Sequence, residues 1–427
     1  MSDKNLKIGI IGAGIQGVCN ALFLQKKGYQ VILFDRDEPG NAASYGNAGH
    51  FSPYASVPLN RPDIVSDVPS MLMSSRGPLA LKWNYVPKMI PWFSKFLMNC
   101  TNDKMMHTAK NMHQILDQSL PAFDELFDEI NLEGLVENNG ILYVWTDQNM
   151  KSRELEIRIR DQLGVKQQLV NKKEIHDLEP NLKPFYHGGV FYDYARHARN
   201  PRKILIKLFE NFVNKGGKFL KLNIQDIDFD EEKPVLRTET QRFIFDKVVI
   251  ACGAFSKKFT DKLDEKIPLD TERGYHIHFK GFDHLLSRPV VFANRGFGIT
   301  PMEQGLRVVG TVEFGGLENS PSKSEGELLE EFCKNLSETI SLVISVIGIE
   351  RIKTRVWFKK LLNNGEEVEV QKIWPNQKKT WLKNLSKRFN ISISEEQIDL
   401  IIEKTQGNLV SSYQELKMIK TLNNNSG

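Results

Sequence analysis

The sequence predicts an α/β protein with a mostly helical C-terminal segment, on three observations. An apolar run, Leu6 to Ile11, stops at the glycine-rich turn Gly12-Ala13-Gly14-Ile15-Gln16-Gly17, and a helical stretch and a second apolar run ending at Asp35 follow directly. A further apolar run, Lys247 to Cys252, again ends in small residues, Gly253 and Ala254. Beyond about residue 370 only helical periodicity remains, with Trp381, Leu382, Leu385 and Phe389 on one face.

The first of these reads element by element. Leu6 to Ile11 has the continuous apolar character of a buried parallel strand. Gln16 to Lys27 forms an apolar-faced helix, and Gly28 supplies its stop. Val31 to Phe34 is the second strand. In such a βαβ unit, Gly12 permits the tight turn, Gly14 lets backbone approach a pyrophosphate, and Gly17 lets the helix pack closely on the strand. The free N–H groups and the dipole at the helix start attract a diphosphate. Asp35, 23 positions after Gly12, is placed to accept hydrogen bonds from a ribose. The motif predicts a dinucleotide site but does not separate FAD from NAD.

With 427 residues the chain is long enough for two or more domains, and 41% hydrophobic and 26% charged residues are ordinary for a soluble protein. A net charge of +4 is too small to argue for nucleic acid. Cys19, Cys100, Cys252 and Cys333 lie far apart without C-x-x-C spacing, which disfavours a zinc site or disulfide framework and fits a reducing compartment. No run has the length of a membrane span, and the short, glycine-punctuated run after Lys7 suits a strand better than a signal peptide.

After Asp35 and Arg36 comes a small, polar stretch, Asn41-Ala42-Ala43-Ser44-Tyr45-Gly46-Asn47-Ala48-Gly49-His50, which composition alone would leave as a surface loop. Here the sequence resembles the D-amino-acid oxidase superfamily, in particular its D-amino-acid dehydrogenase branch, whose matching residues contact the FAD pyrophosphate and flavin. The resemblance continues in order through Gly188-Gly189-Val190-Phe191, Asn200-Pro201, Ala251-Cys252-Gly253-Ala254-Phe255-Ser256, Thr271-Glu272-Arg273-Gly274-Tyr275-His276, Ile299-Thr300-Pro301 and Val309-Gly310-Thr311-Val312-Glu313. It covers roughly residues 5 to 323. It implies a Rossmann-like FAD-binding domain at 1–50 and 186–265, with an α+β substrate domain at 51–185 and 266–323. Residues expected at FAD are Gly12, Gly14, Gly17, Asp35, Arg36, Ser44, Asn47, Ala48, Gly49 and Gly253.

The implied reaction is oxidation of a D-amino acid to its imine by hydride transfer to flavin, followed by hydrolysis to a 2-oxo acid and ammonia, with electrons passing to a membrane acceptor. The implied location is cytoplasmic, or peripheral on the inner membrane face. Glycine, sarcosine or proline are alternative substrates of related flavoenzymes. Arg273, Tyr275 and His50 are the substrate-side candidates. Each also fits a structural role: Arg273 in an ion pair, Tyr275 as a half-buried strand residue, His50 as a satisfied polar group. The stretch Leu72 to Leu97 interleaves Trp83, Tyr85, Trp92 and Phe93 with Lys82, Lys88 and Lys95. It suits a membrane interface or, preferably, a cap with snorkelling lysines.

Past residue 323 the expected pattern breaks. The family's Gly-x-Arg-Pro segment, whose arginine grips the substrate carboxylate, and its closing glycine turn do not occur between Ser324 and Gly427. Truncating a buried arginine–carboxylate contact costs about 2–5 kcal/mol, which puts turnover of this chain in question. The tail instead resembles part of the delta subunit of the DNA polymerase III clamp loader. The likeness runs through Glu327 to Phe332, Ser341 to Val346, Trp357 to Leu361, Trp381 to Lys383, Gln406 to Leu409 and Gln414 to Leu416. That resemblance implies a partial α/β segment at 324–370, a small helical domain at 371–427, clamp-loader subunits as partners without direct nucleic-acid contact, and a chimeric chain. Ser394-Glu395-Glu396-Gln397 independently reads as a capping box opening a helix that ends near Gly407, and Asn408 to Leu422 reads as a third helix.

Overall fold

The computed structural model describes residues 6–65, 79–81, 84–146, 151–293 and 295–321, and in the C-terminal part 327, 377–388, 391, 393–405, 412, 415 and 416. The chain divides into two compact units, Met1–Leu361 and Leu362–Gly427.

The first unit holds a four-stranded parallel sheet in the order Lys218–Lys221, Gln30–Asp35, Lys7–Ile11, Lys247–Ile250. Its central strands are apolar on both faces because both faces are covered. On one side the helices Ile15–Lys26 and Pro201–Asn214 bury Val18, Leu22, Leu208 and Phe212 against Ile10 and Leu33. On the other, the antiparallel strands Asp226–Asp230, Lys233–Arg237 and Arg242–Ile244 set Leu236 and Phe245 against Ile11 and Phe34. The Phe34 and Phe245 rings meet edge to face at 5.8 Å. Helix Ile15–Lys26 stops at Gly28, whose φ of +89° suits glycine. Pro201 opens the second helix as expected, and the Asn200 side chain accepts the Lys203 N–H at 3.1 Å.

A larger mixed sheet runs in the order Arg273–Lys280, Gly305–Phe314, Phe297–Met302, Val290–Phe292, Ile141–Trp145, Gly188–Tyr192, Gln168–Val170, and Leu79–Leu81 pairs with the end of Gly305–Phe314. One face packs Tyr275, Phe279, Phe292, Ile299 and Val308 onto Ile175, Leu182 and Tyr186. Side chains alternate across a strand, so His276, His278, Thr300 and Arg307 lie on the opposite face.

One expected boundary moves. Gly188–Tyr192 was assigned with the returning FAD segment that starts at residue 186, but it pairs with Ile141–Trp145 and Gln168–Val170 in the large sheet. Its glycines serve close packing there: a Cβ on Gly189 would lie 2.4 Å from the Tyr143 carbonyl oxygen. The chain crosses back through Arg196–Ala198, which pairs with His50–Phe51 and Val136–Glu137.

Of the aromatic, lysine-rich stretch, residues 72–78, 82 and 83 lie outside the described residues. The rest contains helix Val86–Met98, where Trp92 stacks on Phe96 at 5.4 Å and lies 6.1 Å from Phe314, while Ile90 and Met98 stay exposed. Among the described residues no helix is long and apolar enough to cross a membrane.

In the second unit, helices Lys378–Arg388 and Glu395–Lys404 enclose Leu382, Ile398 and Ile401 with Ile391 and Leu416, and Trp381 and Leu385 pack at the edge. Phe389 and most of the third helix expected at 408–422 lie outside the described residues, as does the expected α/β segment 324–370 apart from Glu327. The capping box forms: Ser394 Oγ accepts the Gln397 N–H at 3.2 Å, and Gln397 Oε1 accepts the Ser394 N–H at 2.9 Å.

Replacing Ser394 with Ala is expected to destabilise helix Glu395–Lys404 by about 1 kcal/mol, read as faster amide hydrogen exchange over its first two turns. Unchanged exchange there would show that the box holds nothing.

Candidate functional site

The turn after the first strand is set by three glycines, each for a different reason. Gly12 has φ +108°, and a Cβ there would lie 2.4 Å from the Ala251 carbonyl oxygen. A Cβ on Gly17 would lie 1.7 Å from the Gly12 carbonyl oxygen, so only glycine lets the helix come this close to the strand. Gly14 is the helix N-cap, where a Cβ would meet only Ser44 Oγ at 3.3 Å and would otherwise fill open space.

That space is a cleft of about 780 Å³, whose lining includes Gly12, Gly14, Asp35, Ser44, Cys252 and Gly253. Asp35 Oδ2 accepts the Ala13 N–H at 2.7 Å and Oδ1 accepts the Asp37 N–H at 3.0 Å. The carboxylate is thereby fixed at the rim with lone pairs to spare. Arg36 lays its guanidinium 4.4 Å from the centre of the Phe255 ring, also on the rim. Gly253, with φ +55°, has nothing within 4 Å of where a Cβ would stand. The Cys252 thiol bonds the Ile11 carbonyl at 3.2 Å, and burial pushes it up to about 12, so it is no nucleophile.

At the helix entrance Ser44 Oγ accepts the Ile15 N–H at 3.0 Å. Beyond the short helix Ala43–Gly46, Asn47 Oδ1 accepts the Gly49 N–H at 2.8 Å and Asn47 Nδ2 donates to the Ser44 carbonyl at 3.0 Å. Gly49, φ +73°, accepts the Ala198 N–H at 2.7 Å, and Ala48 between them is half-buried. His50 follows, its Nε2 2.9 Å from Thr300 Oγ1. Burial pushes His50 down to about 4, and the same cause acts first on His197, paired across the strands.

The structure therefore brings Gly12, Gly14, Asp35, Arg36, Ser44, Asn47 and Gly253 to one cleft, with Gly17 behind the turn and Ala48, Gly49 and His50 leading to the large sheet. Arg273 and Tyr275 take the structural roles that their residue types also fit. Tyr275 belongs to the apolar core on the far face of the sheet. Arg273 Nη1 donates to Glu313 at 2.8 Å and Nη2 to the Asn319 carbonyl at 2.6 Å, while the Tyr275 hydroxyl donates to the other oxygen of Glu313 at 3.0 Å. Glu313 is fully buried, and a buried carboxylate needs such partners.

The residues that contact the loop at 44–50 are His276, Thr300 and Arg307; the first two lie in the motifs of the resemblance but were not among its site candidates, and His278 shares their face of the sheet. A Cβ on Gly46 would lie 3.0 Å from the His276 ring. Burial first, then the Arg307 charge, pushes His276 down and His278 to about 4. The available signal was the i, i+2 spacing of His276 and His278 and the charge of Arg307 set between the apolar Leu306 and Val308.

A glycine turn at a helix start, an acid at the end of the second strand and an open cleft above them define a dinucleotide-binding protein. The sequence matches the FAD dependent oxidoreductase family, DAO, over residues 7–354, and the chain belongs to that family. The match runs past the break expected near residue 323. A D-amino-acid oxidase of Bradyrhizobium diazoefficiens is 32% identical over 355 residues, covering 82% of this chain and 83% of that protein. A D-amino acid dehydrogenase of Vibrio vulnificus is 25% identical over 322 residues, covering 73% and 77%. The fold is that of glycine oxidase from Geobacillus kaustophilus, with a TM-score of 0.52 at 17% identity covering 79% and 81%. It is likewise that of L-proline dehydrogenase from P. horikoshii, at 0.53 and 14% identity covering 79% and 80%.

Two predictions follow from this geometry. Gly17→Ala is expected to displace the first helix and abolish dinucleotide uptake, measured by flavin fluorescence; full uptake would mean that the helix can give way. The second concerns acid. A histidine held below its ordinary 6.5 takes up a proton on unfolding, so its contribution is complete above about pH 6.5 and is lost as pH falls toward 4. The thermal midpoint is expected to drop across that window, and to drop less in His197→Gln; parallel profiles would remove His197 from the account.

Proposed function

We propose that this chain oxidises D-amino acids to imines, which water converts to 2-oxo acids and ammonia. The observation that carries the reading is the 32% identity to a D-amino-acid oxidase over 82% of the chain. The residues fit FAD on the structure's own terms, because the open positions at Gly14 and Gly253 make a cradle that any side chain would fill.

On this reading the N–H groups at the start of helix Ile15–Lys26, with the Ser44 hydroxyl, hold the diphosphate, and the dipole there favours its charge. Asp35 accepts from the ribose hydroxyls, and Arg36 closes the rim beside Phe255. Asn47, Ala48, Gly49 and His50 carry the loop toward the large sheet, where the flavin and substrate would lie. FAD, when bound, supplies the two-electron acceptor for the substrate Cα–H. His50 and His276, both held toward the neutral form by burial, are hydrogen-bonding groups without charge at neutral pH. Such groups suit a substrate whose amine must lose its proton before the Cα–H is broken.

The electron acceptor and the C-terminal unit carry smaller readings. Exposed Ile90 and Met98 beside Lys88 and Lys95 on helix Val86–Met98 support a peripheral contact with a membrane that holds the acceptor. The clamp-loader delta reading of the C-terminal unit rests on the sequence resemblance alone, since a capped two-helix core is common to many helical modules; binding to purified clamp-loader subunits is the measurement.

The deciding experiment is a flavin spectrum of the intact, FAD-loaded chain. Anaerobic bleaching by D-alanine is expected. Bleaching by glycine, sarcosine or proline instead would move the substrate to another amine, and failure to take up FAD would remove the enzyme reading altogether.

A further inference from the structure

We propose that Arg307 is a positioning residue for the flavin-side loop, acting by holding the backbone of Tyr45 and Asn47 from the large sheet. The inference rests on the FAD reading of that loop.

Arg307 sits within strand Gly305–Phe314 between Leu306 and Val308, both buried in the apolar core on one face. Its own side chain is on the other face and only 5% of the residue is exposed. A guanidinium removed from water in this way ordinarily pairs with a carboxylate. Among the described residues no carboxylate pairs with it. Nη1 instead donates to the Tyr45 carbonyl at 3.1 Å and to the Asn47 carbonyl at 2.7 Å, the group lies 5.9 Å from the Tyr45 ring, and Nε has no partner.

These two carbonyls belong to the C-terminal end of the short helix Ala43–Gly46 and the residue just after it, where a cation is electrostatically favoured. The other bonds that shape this stretch are made within it: Asn47 to Ser44, and Gly49 to Asn47. Ser44 Oγ and Gly49 anchor its two ends, to the first helix and to Ala198. Arg307 is thus the side chain that ties its middle to the sheet where the substrate is expected. It also explains the glycine at 46: the loop is drawn down until a Cβ would touch the His276 ring. A buried cation kept at the cost of desolvation, and used on one loop's carbonyls, is a device for setting that loop's height above the sheet.

The test compares FAD dissociation constants, by flavin fluorescence, for the intact parent, Arg307→Met and Arg307→Lys, with Arg237→Met as a surface control that breaks the exposed pair with Asp228. Loss of charge-assisted bonds in Arg307→Met is expected to weaken FAD binding about ten- to a hundredfold. The lysine, which keeps the charge but not the fork, is expected to fall between, with a shifted visible spectrum of the bound flavin. The control should match the parent. Equal FAD affinity and spectrum in all four proteins would overturn the proposal. So would loss of folding in both Arg307 variants, which would assign the residue to the stability of the sheet. If the parent itself takes up no FAD, the cofactor reading fails first, and this inference with it.

Discussion

The structure of the cleft depends on one close approach: the first helix rests against the carbonyl of Gly12 with no side chain between them. Because Gly17 has no Cβ, the helix start is brought directly over the end of the first strand. The Asp35 carboxylate then reaches the Ala13 amide, and Ser44 reaches the Ile15 amide. Ala251 closes from the neighbouring strand onto Gly12, which ties the returning segment to the same point.

What the sequence made legible was what is local. The strand, turn, helix and second strand follow from a few dozen consecutive residues whose periodicity and glycines admit one arrangement, and the structure moves their ends by only a residue or so. The capping box at Ser394 was equally readable, since its two hydrogen bonds join residues three apart. The large sheet was not. The alternation of Tyr275, Ile277 and Phe279 with His276 and His278 separates two faces of Arg273–Lys280, but which of them looks toward the loop depends on pairing with Gly305–Phe314. Arg273 and Tyr275 stood out as chemistry-bearing residues, yet register turns them onto Glu313 and the core. His276 and Arg307, one position out of phase, are turned toward the loop.

The same dependence on register explains the shifted boundary at Gly188–Tyr192. A glycine pair followed by apolar residues reads equally as the mouth of a cofactor segment or as a strand pressed against a neighbour's backbone. The contact of Gly189 with the Tyr143 carbonyl selects the second. The two sheets are joined through the short strands at His50, Arg196 and Val136, so the residue that ends the loop also begins the passage between them.

Cys252 gives the cleft a chemical character of its own. A cysteine on the wall of an open cleft is ordinarily a weak point, since peroxides and electrophiles attack the ionised form. Here the sulfur is turned to the Ile11 carbonyl and stays protonated far above neutral pH. The wall of the cleft thus gains a small, polarisable packing group whose thiol is held in its unreactive, protonated form.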